Sequence, residues 1–128
     1  MNINLLPGIT VMGPGAIMGK RQMLDAQMLR SIPLEYWHLL TAADGFGLKN
    51  GIKIYASDEV VERNDTFEVA EYAPEYLAIG DDSGGRAIMI PYSGKGVYIV
   101  DQGSMDPDEM QFVSESLSAW VSSGCILP

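Results

Sequence analysis

Tyr76-Leu77-Ala78-Ile79-Gly80-Asp81-Asp82-Ser83-Gly84-Gly85-Arg86-Ala87-Ile88-Met89-Ile90 reads as two short apolar runs joined by a polar, glycine-bearing turn. Tyr76 to Ile79 and Ala87 to Ile90 have the length and composition of β-strands. Gly84 and Gly85 supply the positive φ values that a tight turn requires. A third such run, Val97 to Val100, follows the Ser93-Gly94-Lys95-Gly96 turn. Connections this short force neighbouring strands to run antiparallel, so the centre of the chain is expected to be a β-meander.

Working upstream, Ile52-Lys53-Ile54-Tyr55 alternates like a half-buried strand. Ser57, followed by Asp58 and Glu59, offers an N-cap and an acidic first turn for a short helix through Val60 and Val61 that ends near Asn64. Phe67 to Glu75 lies ahead of Pro74 and reads mostly as loop. Met23, Leu24 and Met28 predict a first helix from Lys20 to Arg30. Pro33, at a first helical position, opens a second, with Glu35 in its favourable acidic first turn, Leu34, Trp37, Leu40 and Ala43 on one face and Asp44-Gly45 as the stop. Residues 1–19 are rich in Gly, Pro and Met and read as an irregular arm, in which Ile9-Thr10-Val11-Met12 has the makings of a short strand. Downstream, Asp106 as N-cap, Pro107 at the first helical position and Glu109 predict one closing helix. It would carry Met110, Val113, Leu117, Trp120 and Val121 on a face and stop at Gly124. Helices beside one antiparallel sheet make an α+β fold, with residues 20–128 as a single domain.

At 128 residues the chain can bury one hydrophobic core unaided. Cys125 is the sole cysteine, so no intrachain disulfide can form. Met1 to Leu6 lack a basic n-region, and Pro7, Gly13, Pro14 and Gly15 interrupt the apolar residues that follow, so a cytoplasmic protein is expected. The net charge of −9 opposes direct binding of nucleic acid and of anionic membranes. Nine acids and one base, Arg63, fall between Asp58 and Asp82, whereas residues 1–57 are slightly positive. Such a concentration keeps a protein soluble and also steers a basic partner to it.

The residues offer little to catalysis. His38, the only histidine, falls within the second helix beside Trp37 and has no nucleophile signature near it. Cys125 has no neighbouring base in sequence to activate it and reads as an incidental thiol. Gly80, Gly84 and Gly85 follow neither phosphate-binding order, and Asp81 and Asp82 repel phosphate. Their oxygens could face a calcium ion, yet the acids are not spread along a loop as such sites require. No catalytic residue, metal or cofactor is assigned. Asp81 and Asp82 instead continue the acidic run begun at Asp58, which fits a binding surface better than a reaction centre.

In order along the chain, Ile32-Pro33-Leu34-Glu35-Tyr36, Ala43-Asp44-Gly45, Ile54-Tyr55-Ala56-Ser57-Asp58-Glu59-Val60, Tyr76 to Asp81 with Gly84-Gly85, and Val97 to Asp101 with Gly103 resemble the SUKH superfamily. That group contains cell-wall regulators of the Smi/Knr type and bacterial immunity proteins that neutralise toxins. The resemblance implies a non-catalytic protein-binding domain, and foremost an immunity protein that occludes a basic, often nuclease, toxin domain. A regulatory or scaffold domain for an endogenous protein is the alternative. Asp58, Glu59, Glu62, Glu71, Asp81 and Asp82 are the expected acidic contacts, with Tyr72, Tyr76 or Tyr92 as aromatic anchors or core residues.

Overall fold

The computed structural model describes residues 6, 8–17, 19–93 and 95–128. Among these residues seven strands form one sheet in sequence order: β1 (Ile9–Met12), β2 (Phe46–Leu48), β3 (Lys53–Ile54), β4 (Tyr76–Asp81), β5 (Arg86–Pro91), β6 (Val97–Asp101) and β7 (Gln111–Ser114). Every neighbouring pair is antiparallel. The helices are α1 (Gly19–Met28), α2 (Leu34–Ala42), α3 (Val60–Thr66), α4 (Val69–Tyr72) and α5 (Leu117–Ser122). The fold is the α+β meander that the central turns predict.

Alternation along β4 to β6 divides the core between the two faces of the sheet. Leu77, Ile79, Ile88, Ile90, Val97 and Ile99 join the larger cluster with Tyr36, Leu39 and Leu40 of α2 and Trp120 of α5. Ala78, Ala87, Met89 and Val100 turn the other way, toward Val69 and Ala73 of the α4 region and Met105. A strand buried on both faces has no polar rhythm, which is why these runs are continuously apolar. At the β4 bulge, Ile79 and Gly80 together oppose Ile88. A side chain at Gly80 would strike the Lys53 carbonyl, so this glycine allows β3 to approach. Asn64 of α3 is buried beside the bulge, where Nδ2 donates to the carbonyls of Val60 and Ala78 at 2.8 Å each and Oδ1 accepts from the Ala78 N–H at 2.9 Å. A single side chain thereby satisfies both peptide groups of Ala78, beyond the residues of β4 that β3 pairs.

Several local readings are revised. Pro33 does open α2, but the buried face carries Tyr36, Trp37, Leu39 and Leu40, and Leu34 is exposed. Glu35, rather than serving its own first turn, accepts from the N–H groups of Leu117 at 3.3 Å and Ser118 at 3.2 Å and ties α2 to the start of α5. Ser57 does not cap α3: its N–H and hydroxyl donate to Asp44 at 2.6 and 2.7 Å. The Ala56 carbonyl begins the turn, and the Glu59 carboxylate reaches back to the Ala56 N–H at 2.9 Å. α3 runs to Thr66, and the stretch expected to be loop contains α4.

The closing helix is the largest correction. Asp106 does accept from the Asp108 N–H at 2.9 Å, but only a 3-10 turn, Pro107–Glu109, follows before Met110 becomes extended. Gln111–Ser114 then pairs with β6, Tyr98 opposite Phe112 and Ile99 opposite Gln111. The helix restarts late, with Ser116 accepting from the Ala119 N–H at 3.0 Å as the true cap. Pairing β7 covers an edge of β6 that a continuous helix would leave open, and three serines at 114, 116 and 118 weaken the helical alternative.

A candidate protein-interaction surface

The acids singled out in sequence divide into two environments. In the β4–β5 turn, Asp82 accepts from the N–H groups of Gly84 at 2.8 Å and Arg86 at 3.0 Å, and from Arg86 Nε at 2.7 Å. Burial opposes its charge, but the Arg86 guanidinium and these N–H groups outweigh burial and hold the carboxyl below its ordinary value. Asp81 accepts from the Tyr55 hydroxyl at 2.7 Å and from the Ser83 N–H at 2.9 Å. Tyr55 in turn accepts, through its carbonyl, the Tyr36 hydroxyl at 2.7 Å. Both aspartates therefore face hydrogen-bond donors, as carboxylates that organise a turn do. The left-handed positions of that turn are Ser83 (φ 62°) and Gly85 (φ 99°), not the two glycines.

Glu59 is half-buried between fold and rim: besides the Ala56 N–H, it pairs with Lys53 Nζ at 3.2 Å. This pair borders a cleft of about 450 Å³ floored by Phe46, Leu48, Ile52 and Ile54. No histidine or cysteine lines the cleft, and among the described residues no three of His, Cys, Asp and Glu gather as a metal site would need.

Across α3 and α4 the acids are left to solvent. Asp58, Glu62, Asp65, Glu68, Glu71 and Glu75 are all exposed. Glu62 chelates Arg63, the single base of the run, at 2.7 and 2.8 Å, and that contact lowers the Glu62 carboxyl. Glu71 moves the other way. The Glu68 carboxyl beside it raises it, through a shared hydrogen bond and like charge. Glu68 itself holds a left-handed backbone, φ 55°, at the entry to α4. Tyr72, at the end of α4, is 53% exposed, whereas Tyr76 and Tyr92 are half-buried, Tyr92 beneath the Arg30 guanidinium at 3.8 Å. Of the three aromatic candidates, only Tyr72 stands open to a partner.

His38 is exposed, and Cys125 is buried, its thiol pushed up to about 12 by desolvation, far from a reactive thiolate. Among the described residues no helix is long and apolar enough to cross a membrane.

The sequence model of the SMI1 / KNR4 family (SUKH-1) matches residues 22–123, from within α1 to just past α5. The chain belongs to this family. Among curated proteins none matches it. Membership supports an immunity or regulatory, protein-binding role in general. That role agrees with a surface on which charge is concentrated. Phe112, a further exposed aromatic of this SUKH-1 chain, lies in β7, where the sequence pattern predicts the closing helix. The alternation Gln111-Phe112-Val113-Ser114 was the available signal for a strand.

Proposed function

We propose that the chain is a cytoplasmic immunity protein that binds a basic toxin domain stoichiometrically and blocks it without chemistry of its own. The observation that carries this reading is the row of six exposed acids on the α3–α4 segment, in which Arg63 is the only base and is already paired with Glu62. Toxin domains that act on nucleic acid need cationic surfaces to hold phosphates, and an anionic inhibitor complements them in charge and speeds encounter. Asp58, Glu62 and Glu71 are the direct contacts in this proposal. Glu59, Asp81 and Asp82 act indirectly in this proposal, by fixing the α3 start and the β4–β5 turn.

The test is stopped-flow association with the toxin domain encoded beside this gene. Reversal of Glu62 and Glu71 to Lys should slow association about tenfold at low salt, and added salt should slow the unaltered protein while sparing the variant. Indifference to both would sink the electrostatic account. A gene with no toxin neighbour, and a tight endogenous protein partner, would favour the regulatory role known among SUKH relatives.

A further inference from the structure

β7 ends the sheet opposite β1, and among the described residues nothing pairs with its outer edge. An edge strand presents unpaired N–H and C=O groups, and proteins usually blunt such edges with Lys, Pro or inward charge. Gln111–Ser114 contains none of these. One partial guard exists. Register slips by a residue between the Tyr98–Phe112 and Val97–Ser114 pairs, so Val113 is the extra residue, and it packs against the core. A bulge there limits how long an added strand can be, yet leaves Gln111 and Phe112 in regular register.

Phe112 is 59% exposed and ends a row of rings. Tyr76 meets Tyr98 edge-on, centroids 5.9 Å apart at 82°, and Tyr98 meets Phe112 at 5.9 Å and 77°. The row stops at the sheet edge with its last ring half uncovered. A further strand would set its own side chain across from Phe112 and extend the row.

Charge selects the occupant. From Gly96 to Pro128 there is no Lys or Arg, while Asp101, Asp106, Asp108, Glu109 and Glu115 are present. Asp108 and Glu109 are exposed before β7, and Glu115 is exposed directly after it. Pairing β7 with itself in a second copy would bring these carboxylates together, whereas a basic segment would neutralise them.

We propose that β7 is a docking edge for a short extended segment of a partner protein, basic at its ends and aromatic or branched where it faces Phe112, added as an eighth strand. The proposal rests on the protein-binding reading above and adds a contact on a different element from the α3–α4 acids. The probe is a labelled synthetic peptide of about eight residues, alternating Val, Thr and Tyr between lysines, titrated into the full chain. Binding should slow amide exchange at Gln111 to Ser114. Phe112→Lys, a change at an exposed side chain, should weaken binding about tenfold or more, as should a peptide with Glu in place of Lys. Absence of binding, binding unaffected by F112K, or equal binding of a backbone-N-methylated copy of the peptide would overturn strand addition while leaving the α3–α4 charge-reversal result intact. A dimer of the chain that F112K dissolves would overturn it in favour of a second copy.

Discussion

Asp82 receives two backbone N–H groups and a guanidinium, whereas Glu71, eleven residues earlier on α4, faces solvent and another carboxyl. The two acids belong to one negative run in sequence, and their carboxyls are displaced in opposite directions. Charge in a sequence is therefore two different things once folded. In the β4–β5 turn it is consumed internally and stabilises the fold. Across α3 and α4 it is left over, available to something outside the chain.

The largest effect that follows is at the turn. Asp82→Ala removes a charge-assisted pair and two caps on backbone N–H groups, and should cost about 2 kcal/mol in urea unfolding at neutral pH. The pH dependence has a definite sign. A carboxyl held low in the folded state contributes stability above its unfolded value and loses it as pH falls through the lower folded value. Wild type and D82A should accordingly converge in acid. Unchanged stability of D82A at neutral pH would erase the distinction between the two stretches.

The Tyr55 contact sharpens the comparison at smaller scale. Tyr55→Phe deletes one hydrogen bond to Asp81 and should cost about 1 kcal/mol. Burial first, and then the Asp81 carboxyl, raise the Tyr55 hydroxyl well above its ordinary value. The unfolded chain ionises this group first as pH rises, so wild-type stability declines above the ordinary tyrosine value and Y55F lacks that part of the decline. Parallel alkaline unfolding curves for the two proteins would show that Asp81 is not held by Tyr55.

Local turn chemistry and apolar runs made the central meander, β4 to β6, readable, because antiparallel neighbours need only short connections and two-sided burial, whereas the three-residue β2 and the edge strand β7 carried no such signal. What stayed hidden depends on distant residues. Glu35 looked like a helix-start residue of α2 and serves α5, and Ser57 looked like a cap and donates to Asp44. The segment after Asp106 carried helix and strand patterns at once, and the open edge of β6, invisible in sequence, decided for the strand. The acidic surface was legible as composition, but which acids remain exposed was not, since Asp81 and Asp82 are claimed by Tyr55 and Arg86, residues whose arrival only the fold determines.

The smallest expected effect is at Glu71, and it bears most on function. Its carboxyl is raised by Glu68, so at neutral pH the pair repels, and the repulsion fades as pH falls through the raised value. Glu71→Gln should therefore raise the melting temperature slightly at neutral pH, with the gain disappearing in acid. Glu68 adds a second unfavourable element, because a left-handed backbone at a residue with a side chain costs about 1 kcal/mol. Two like charges held together on a strained turn are poorly explained by stability or by solubility, which spaced acids would serve as well. A cationic partner relieves the repulsion on contact and favours the charged form, so binding in acid, where Glu71 is partly protonated, should release a proton, and E71Q should reduce that release while weakening the complex. Calorimetry in buffers of different ionisation enthalpy reads the proton directly. Equal proton release from wild type and E71Q would detach this pair from the interface and return the α3–α4 acids to the role of a solvated face.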